Sequence, residues 1–455
     1  MALSPDEVQT IDRLRRRWQD QESSDALMLA YYQGRQRVEQ MGLAIPANLR
    51  KFVVIANWPR TVVDTTDNRQ QVRALLLPGE EKADPVLKAV WDANNLSAHL
   101  SMFNRDRMIY GRAFMSVGAN EAAPELPLVR VESPREMAAE VDVRTERITV
   151  AARFYGEDAD TGTKPTHVTL YKPNETVWVE YDKGTGRWVE VDRDEHRLGA
   201  VPVVMHLNRR MSGSWVGESE LTDIIPLADS AARSLTDMQF AQAAHGAPRM
   251  YMTGVAQGDF LDAEGKPVPK LEAYFNAVTT ITNPQGKVGQ LEAADLKNFE
   301  TAVNVYGKQA STVTGFPARY FGLATTNPPA EGAIRADEAQ LVERVEDQND
   351  EVGMTLGWGM ALALRFATGQ QVEGNRVRVD WHDPATPTVA QRMDAVTKAK
   401  SVGILSREGS WDELGWSEAR KAKERAYFAE EMAGGIDPYL IAQADGQWAD
   451  ASSVG

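Results

Sequence analysis

The residues Asp380-Trp381-His382-Asp383 form the only short cluster of potential metal ligands in the sequence. Carboxylates and imidazole bind divalent cations, and a bound cation can activate water for hydrolysis. The chain has no cysteine, and its six histidines are scattered. Two interpretations follow: a metal-dependent nucleic-acid-processing enzyme, or the polar, solvated end of a strand. Because no further ligands accompany the cluster, we expect no metal, no cofactor and no catalytic residue.

Glycine-rich signals for nucleotide binding are incomplete. Gly265-Lys266 and Gly286-Lys287 lack the earlier glycine and the following hydroxyl residue of a phosphate-binding loop. Gly357-Trp358-Gly359 lies within a helical pattern, where glycine allows another backbone to approach closely. We interpret it as a packing contact.

Composition excludes several classes of protein. The 455 residues suffice for roughly two to four domains. The formal net charge is −15, whereas a tight, sequence-independent grip on DNA usually requires a basic surface. Any contact with DNA is therefore expected to be loose or confined to small patches. No stretch reaches about 18 uninterrupted apolar residues, and the N-terminal stretch lacks the apolar core of a signal peptide.

The stretch 324–353, ATTNPPAEGAIRADEAQLVERVEDQNDEVG, joins a stiff loop to a long acidic helix. Two adjacent prolines restrict the conformations of the loop. The helical pattern continues through Trp358 and Leu364. Its charges indicate either a solvated surface helix or an acidic wall that faces a cavity or channel. The apolar positions form a thin seam of Ile334, Leu341, Val345, Val352 and Leu356.

The N-terminal part is predicted to be helical. Ser4-Pro5-Asp6-Glu7 fits a capping box with proline at the first helical position. A second helix is expected near Ser24, and a third over 83–110. The group Arg13, Arg15, Arg16 and Arg17 indicates either a solvated helix face or a patch for nucleic acid or an acidic neighbour.

Between 112 and 206 the apolar period changes to two, which predicts a β-rich insert among helices. Lys183-Gly184-Thr185-Gly186 is typical of a hairpin turn. The expected strands are 129–131, 147–155, 167–171, 176–181, 188–191 and 201–206.

After this insert the pattern predicts an antiparallel pair of helices with a turn-rich excursion between them. The first helix is expected over 217–245, kinked or restarted by Pro226. The excursion is expected over 247–290, with short strand-like pieces such as 278–282. The second helix ends at Thr314-Gly315-Phe316-Pro317. Its narrow apolar seam, of coiled-coil type, consists of Leu296, Phe299, Val303, Tyr306, Ala310 and Val313.

The C-terminal part is predicted to contain a strand at 376–381 and helices from Thr386-Pro387 to about 401, over 406–414 and over 417–433. The polar tail is expected to be disordered. These patterns together predict an α+β protein that is mainly helical.

Several short motifs follow one another in a particular order. They are 31–34 (YYQG), 57–64 (NWPRTVVD), 91–95 (WDANN), 108–114 (MIYGRAF), 217–220 (GESE), 225–229 (IPLAD), 314–317 (TGFP), 327–335 (NPPAEGAIR) and 379–388 (VDWHDPATPT). In this order, over about residues 25–435, the chain resembles the portal proteins of tailed bacteriophages, of the long, non-contractile-tail type found in phages of Gram-positive hosts.

The resemblance implies a portal-like fold with wing, stem, clip and crown regions around a central channel. It assigns the wing to 1–214 and 336–384, the stem helices to 215–246 and 291–322, the clip to 247–290, the tunnel loop to 323–335, crown-like helices to 385–440 and a disordered tail to 441–455. The implied tunnel-loop residues are Thr325, Thr326, Asn327, Pro328, Pro329, Ala330, Glu331 and Arg335. The implied candidates on the channel side of the long helix are Asp337, Glu338, Glu343, Glu346, Asp347 and Asp350.

The resemblance also implies a function without catalysis. A portal is a ring, dodecameric in the virion, at one capsid vertex, and double-stranded DNA passes through it during packaging and ejection. Implied partners are further copies of the chain, the DNA, the terminase large subunit, the major capsid protein, the scaffold and the head–tail adaptor, with no membrane. The implied location is the virion, and the host cytoplasm during assembly.

Two alternatives to a DNA conduit remain at this point. One is another oligomeric phage head or connector protein that never contacts DNA. The other is the metal-dependent enzyme, with Asp380, His382 and Asp383 as ligands. Within the portal interpretation, the loop lacks aromatic and lysine residues, which favours a passive guide or valve over an active grip on DNA.

Overall fold

The computed structural model describes residues 3–36, 53–157, 165–245, 250–253, 287–290, 296–323, 331–385 and 389–433. The expectations for tunnel-loop residues 325–330, for the strand-like piece 278–282 and for the tail 441–455 lie outside these residues. The chain divides into two compact units, Met1–Pro384 and Ala385–Gly455. No helix within the described ranges is both long enough and apolar enough to span a bilayer.

The described part of the first unit contains seven α-helices. They are α1 (Pro5–Gln33), α2 (Trp58–Asp67), α3 (Pro85–Ala93), α4 (Leu96–Tyr110), α5 (Ile225–His245), α6 (Lys297–Thr314) and α7 (Glu331–Thr368). A 3-10 helix, Ala318–Phe321, follows α6.

The strands of this unit form two sheets and two short pairs. The strands are β1 (Val72–Leu76), β2 (Arg112–Gly118), β3 (Leu128–Glu132), β4 (Met137–Asp142), β5 (Arg147–Tyr155), β6 (His167–Tyr171), β7 (Thr176–Asp182), β8 (Arg187–Asp194), β9 (Val203–Leu207), β10 (Met250–Thr253), β11 (Lys287–Gln290) and β12 (Arg378–Trp381). The order β4-β5-β6-β7-β8 makes a five-stranded antiparallel sheet, and β3-β2-β9 a three-stranded one. The remaining pairs are β1-β12 and β10-β11.

The β-rich insert is confirmed, and so is the hairpin turn between β7 and β8. Gly186, at the end of that turn, has a φ of 67°, which glycine adopts without strain. Strands β1, β2 and β4 are additional to those expected. The start of β4, Met137-Ala138-Ala139, is buried at its first two positions in succession and has little β propensity, so its pattern does not alternate.

Helix α1 forms as its sequence predicts, but it is longer. Both halves of the Ser4–Glu7 capping box are present, and Gly34 ends the helix with a φ of 65°. The expectation of a separate helix near Ser24 is wrong, because neither glycine nor proline interrupts the chain between Pro5 and Gln33. Ile11 and Leu14 on α1 are fully buried against the five-stranded sheet.

The single helix expected over 83–110 is two helices, α3 and α4. Asn95 breaks it with a φ of 50° in the left-handed region, which asparagine tolerates better than most residues. The Asn94 side chain donates to the carbonyls of Val90 (2.9 Å) and Pro127 (3.0 Å) and accepts from the amide of Val129 (2.9 Å). Side-chain hydrogen bonds therefore favour this break over a continuous helix.

The start of α5 corrects the expected helix over 217–245. The helix begins at Ile225 with Pro226 in its first turn, as the restart at Pro226 predicts, but residues 217–224 are not helical. The amides of Glu218 and Glu220 donate to the carbonyls of Asn208 and Met108, each at 2.8 Å. These bonds to distant segments hold the chain in turns instead.

Helices α5 and α6 pack together, and the antiparallel strands β10 and β11 lie between them in the chain. Along the predicted seam of α6, burial within the single chain differs from residue to residue. Val303 and Tyr306 pack on the core and Ala310 is buried, but Leu296 and Val313 are 37% and 51% exposed. The buried line instead runs through Gly307, Ala310 and Thr314, because α6 is rotated about its axis relative to the predicted seam.

The second unit contains α8 (Val389–Ser401), α9 (Arg407–Glu413) and α10 (Glu418–Ala433), which confirms the three expected helices. The expected start at Thr386-Pro387 lies outside the described residues. Trp411 stacks on Trp416 and Phe428, with ring centroids 5.7 and 5.8 Å apart. The strand expected at 376–381 is confirmed over Arg378–Trp381 as β12 of the first unit, and a 3-10 turn, Gly374–Arg376, precedes it.

Gly357, in the middle of α7, is a packing glycine, as the sequence predicts. A Cβ atom there would lie 2.6 Å from the carbonyl oxygens of both Gly374 and Val377. We therefore expect Gly357→Ala to destabilise the protein by about 1–3 kcal/mol, measured as a lower urea midpoint of unfolding. Gly332→Ala on the same helix is the control, because a Cβ at Gly332 meets nothing within 4 Å. Equal midpoints for the two variants would contradict this role of Gly357.

Glu7 joins the start of α1 to the five-stranded sheet. Its Oε1 accepts from Lys172 Nζ (3.0 Å) and Arg193 Nη1 (3.0 Å), and its Oε2 accepts from the Ser4 amide (2.8 Å). Burial by itself raises the pKa of Glu7, but the hydrogen bonds from Ser4, Arg193 and Lys172 outweigh it and lower the pKa from 4.5 to about 2. The charged form is therefore the one that the fold stabilises.

The pH dependence follows from this direction. The contribution of Glu7 is fully present above its unfolded pKa of about 4.5 and is lost as the pH falls toward 2. Glu7→Gln should lower the urea midpoint at pH 7, and its difference from the unmodified chain should shrink between pH 4.5 and 2. Glu121→Gln, at an exposed glutamate, is the control and should match the unmodified chain throughout. A difference for Glu7→Gln that is independent of pH would contradict the assignment.

Candidate functional site

One face of α7 is exposed and acidic. Glu343, Glu346, Asp347 and Asp350 are spaced three or four residues apart, so they lie on one side of the helix, and all four are exposed. Among the described residues, none forms an ion pair with them. Uncompensated like charges at this spacing destabilise a helix slightly, so this face is not explained by the stability of α7 itself. We call these four residues the acidic face.

The opposite side of α7 is buried in the body of the first unit. Leu341, Val345, Val352 and Leu356 are each 0% exposed, which confirms the seam, whereas Ile334 is 37% exposed. The helix spans 38 residues, or roughly 57 Å at 1.5 Å per residue. Packing along one side of α7 therefore holds the acidic face outward over about two helical turns.

Asp337 and Glu338 do not belong to the acidic face. Arg319, in the 3-10 helix after α6, forms ion pairs with both carboxylates. Arg69 pairs with Glu338 at 3.3 Å and donates to the Tyr320 hydroxyl at 3.2 Å. The two arginines neutralise this end of α7 and fix it to the 3-10 helix. The structure thus brings four of the six predicted acidic candidates together and separates two.

Few of the predicted tunnel-loop residues are described. Glu331 is the first residue of α7, and Arg335 is exposed one turn later. Thr325, Thr326, Asn327, Pro328, Pro329 and Ala330 lie outside the described residues.

A buried arginine, Arg107, contacts α7 from the interior of the first unit. The sequence alone did not single it out. Arg107 on α4 is 0% exposed. Its guanidinium donates to the side-chain oxygens of Gln70 (2.5 Å), Asn208 (2.8 Å) and Gln348 (3.0 Å). Burial lowers the pKa of Arg107 to about 10, which leaves it charged at neutral pH. The sequence could have indicated that Arg107 is buried, because it lies four residues after Phe103, on the buried side of α4.

Glu220 connects this arginine to the helical pair. Its Oε1 accepts from the same amides that bind Arg107, Asn208 at 3.0 Å and Gln348 at 3.2 Å. Arg344 on α7 forms an ion pair with Glu220 and donates to the carbonyl of Thr314, the last residue of α6, at 2.7 Å. We call Arg107, Asn208, Glu220, Arg344 and Gln348 the buried polar network. It joins α4, α7, the end of α6 and the segment before α5.

The Asp380–Asp383 cluster has the structure of a strand end. Asp380 lies on β12 and pairs with Arg73 at 3.8 Å, and the His382 amide donates to the Gln71 carbonyl at 2.9 Å. Within the described parts of the chain, no group of three or more histidine or carboxylate side chains is placed to hold a metal ion.

The N-terminal arginines are partly used within the fold. Arg13 and Arg17 both approach Glu140 on β4, at 2.5 and 4.0 Å. Arg17 also donates to the Ala139 carbonyl at 3.2 Å. The sequence left two interpretations, a solvated helix face or a patch for nucleic acid or an acidic neighbour. Neither is complete, because these contacts attach α1 to the edge strand β4 while the arginine side chains stay half exposed.

The class of protein follows from comparison with known sequences. The family model described as "Phage portal protein, SPP1 Gp6-like" matches residues 13–435. The chain therefore belongs to the phage portal protein family. It is 33% identical over 433 residues to the portal protein of Mycobacterium phage D29, covering 92% of this chain and 88% of the relative. It is 32% identical over 422 residues to that of Mycobacterium phage L5, covering 90% and 85%. The resemblance described above is confirmed.

Solved structures give weaker likenesses. The chain matches "Neck of native GTA particle computed with C12 symmetry" at 13% identity and a TM-score of 0.43, covering 82% of this chain and 93% of that one. It matches "Virion of native gene transfer agent (GTA) particle" at 14% identity and a TM-score of 0.42, covering 81% and 93%. TM-scores below 0.5 do not establish a shared fold.

The buried polar network gives a prediction for stability. Arg107→Met keeps much of the side-chain length but removes the donors for the amide oxygens of Gln70, Asn208 and Gln348. We expect a loss of about 2–5 kcal/mol in the free energy of unfolding, measured by urea denaturation. Arg60→Met, at an exposed arginine paired with Asp64 one turn away, is the control and should change stability little. An unchanged midpoint for Arg107→Met would show that the network does not support the fold.

Proposed function

We propose that the chain forms a ring at one capsid vertex and that its acidic face lines the channel through which double-stranded DNA passes. The observation that carries the proposal is the row of four exposed, unpaired carboxylates on α7 of a portal-family chain. The proposed ring is a homo-oligomer, twelve-membered in the virion, and acts without catalysis. DNA moves through it during both packaging and ejection.

The electrostatics of DNA explains why an acidic channel wall would let it pass. A channel that bound phosphates through lysine and arginine would hold DNA, because each such contact releases counterions and strengthens binding. Carboxylates repel the phosphates instead. The repulsion is mild, since two unit charges 10 Å apart in water interact by only about 0.4 kcal/mol before salt screens them. The DNA can therefore slide without adhering to the wall.

The remaining regions are assigned by the same proposal. The wing comprises 1–214 and 336–384, and the stem consists of 215–246, including α5, and 291–322, including α6. The clip, 247–290, docks the terminase large subunit and later the head–tail adaptor. The tunnel loop, 323–335, projects into the channel as a passive guide, and 385–440 forms a small crown. The wing contacts the major capsid protein and the scaffold, first in the host cytoplasm and then in the virion.

Charge reversal tests the channel assignment. A variant with Glu343→Lys, Glu346→Lys, Asp347→Lys and Asp350→Lys should still form rings, because these side chains make no described contact. It should reduce DNA-filled particles by roughly tenfold, since lysines on the wall would bind passing phosphates. The measurement is the fraction of filled particles in electron micrographs of phage made with the variant.

The matched control reverses four exposed carboxylates elsewhere, Glu121, Glu125, Glu180 and Asp192. It should leave filling near normal. If both variants form rings and fill particles equally well, the acidic face does not line the channel.

A further inference from the structure

The second unit buries few apolar side chains. Among its described residues, Val396 and Trp411 are the buried hydrophobic ones. Four large apolar side chains are exposed instead, by 47%, 69%, 76% and 45%: Met393, Val402, Ile404 and Tyr427. Units of roughly 70 residues with a small core are usually stabilised by disulfides, metals or association. The sequence has no cysteine, and the described residues include no cluster of metal ligands, which favours association.

The loop between α8 and α9 holds two of these apolar side chains on a fixed backbone. Gly403 has a φ of 78°, and its amide donates to the Lys400 carbonyl at 3.1 Å. The Ile404 amide donates to the Ala399 carbonyl at 2.9 Å. In this type of helix cap, the residue after the glycine commonly packs on the last turn of its own helix. Ile404 is too exposed to make much of that contact. We call Val402 and Ile404 the apolar loop.

A small groove on α10 is suited to receive such side chains. Its volume is about 200 Å³, and it is lined by Glu424, Tyr427, Phe428, Glu430 and Glu431. Phe428 is held in place because it stacks on Trp411. Pockets for small molecules have volumes of roughly 300–1,000 Å³, so this groove fits protein side chains better than a whole ligand. We call it the α10 groove.

The apolar loop does not fill the α10 groove of its own copy. No residue of the loop lines the groove. If the two surfaces met within one copy, Val402, Ile404 and Tyr427 would cover one another, but all three are exposed. Each copy therefore has a projecting apolar surface and a receiving one, and both are uncovered.

A ring brings two such surfaces together. The same rotation relates each copy in a ring to the next, so equivalent units lie at the same height and the same distance from the axis. A contact between neighbours in a ring joins two different patches of the same chain. The apolar loop and the α10 groove are two different patches of this kind.

The charges around the two surfaces have opposite signs. Three glutamates line the groove, and none of them forms an ion pair with a described residue. Arg407 and Lys423 lie 4.0 and 5.5 Å from the ring centroids of Phe428 and Tyr427, so three carboxylates face two cations there. Before the loop, α8 ends with two lysines, at 398 and 400, against the one carboxylate of Asp394. A weak attraction therefore adds to the apolar contact.

We propose that the second unit completes its hydrophobic core with the second unit of a neighbouring copy. The apolar loop of one copy inserts Val402 and Ile404 into the α10 groove of the next, against Tyr427 and Phe428. The lysines at the end of α8 then face the glutamates of the groove. This inference rests on the proposed ring, because a ring repeats the contact from each copy to the next.

Thiol crosslinking of the full chain tests this docking. Because the sequence has no cysteine, the introduced cysteines are its only thiols. Chains with Val402→Cys and chains with Glu431→Cys are produced together and treated with a short thiol-specific crosslinker. The expected product joins position 402 of one chain to position 431 of another, identified by mass spectrometry of the joined peptides. Chains that carry both substitutions should give a ladder of multimers.

Matched variants connect the product to the two surfaces. Glu413→Cys, at an exposed glutamate of α9 outside the groove, replaces Glu431→Cys as the control and should give about a tenth of the yield or less. Ile404→Asp should lower the 402–431 yield by about tenfold, because it brings a carboxylate to an acidic groove. Ile404→Val should retain most of the yield. Circular dichroism shows that each variant keeps its helices.

Electron microscopy of the same samples separates this inference from the proposed ring. Rings without the 402–431 product would overturn the docking and leave the ring in place. The product in assemblies that are not rings would support the docking and overturn the ring. A product joining two 402 positions in similar yield, a product within one chain, or a yield that Ile404→Asp leaves unchanged would overturn the docking. Single chains without any product would overturn both.

Discussion

The buried charge of Arg107 is the constraint on which the arrangement of the first unit depends. A guanidinium removed from water must find acceptors for its N–H groups, and no carboxylate of the described chain pairs with it directly. Amide oxygens from α4, from the segment after α2, from the segment after β9 and from α7 take that role. Each of these segments is therefore held at one position relative to the others.

The same network fixes the direction of the acidic face. Glu220 and Arg344 extend it to the segment before α5 and to the end of α6, so α7 is attached to both of these segments. The apolar seam then fixes the rotation of α7 about its own axis. Glu343, Glu346, Asp347 and Asp350 are exposed as a consequence of these two sets of contacts, and their charge remains available for a function outside the fold. In the proposed ring, that function is to keep DNA mobile.

The sequence predicts those elements whose signals are local. The capping box at Ser4, the strands at 147–155 and 167–171 and the continuous helix through Leu364 depend on spacing and capping, and they were confirmed. The break at Asn95 and the turns over 217–224 were not predicted, because hydrogen bonds to distant segments decide them. The rotation of α6 likewise depends on its neighbours, which a single helical pattern does not contain.

The acidic face was predictable only in part, because its charges are a local signal but their pairing depends on residues elsewhere in the chain. The acidic stretch is visible in the sequence, but only the structure shows that Arg319 neutralises Asp337 and Glu338 and leaves the next four carboxylates unpaired. The assignment to wing, stem, clip and crown came from the resemblance and not from the residues.

The most direct measurement is electron cryo-microscopy of the purified full chain. The account predicts rings with an open centre in which residues 343–350 of α7 face the lumen. Monomers, or rings in which this face is buried between subunits or turned outward, would contradict it.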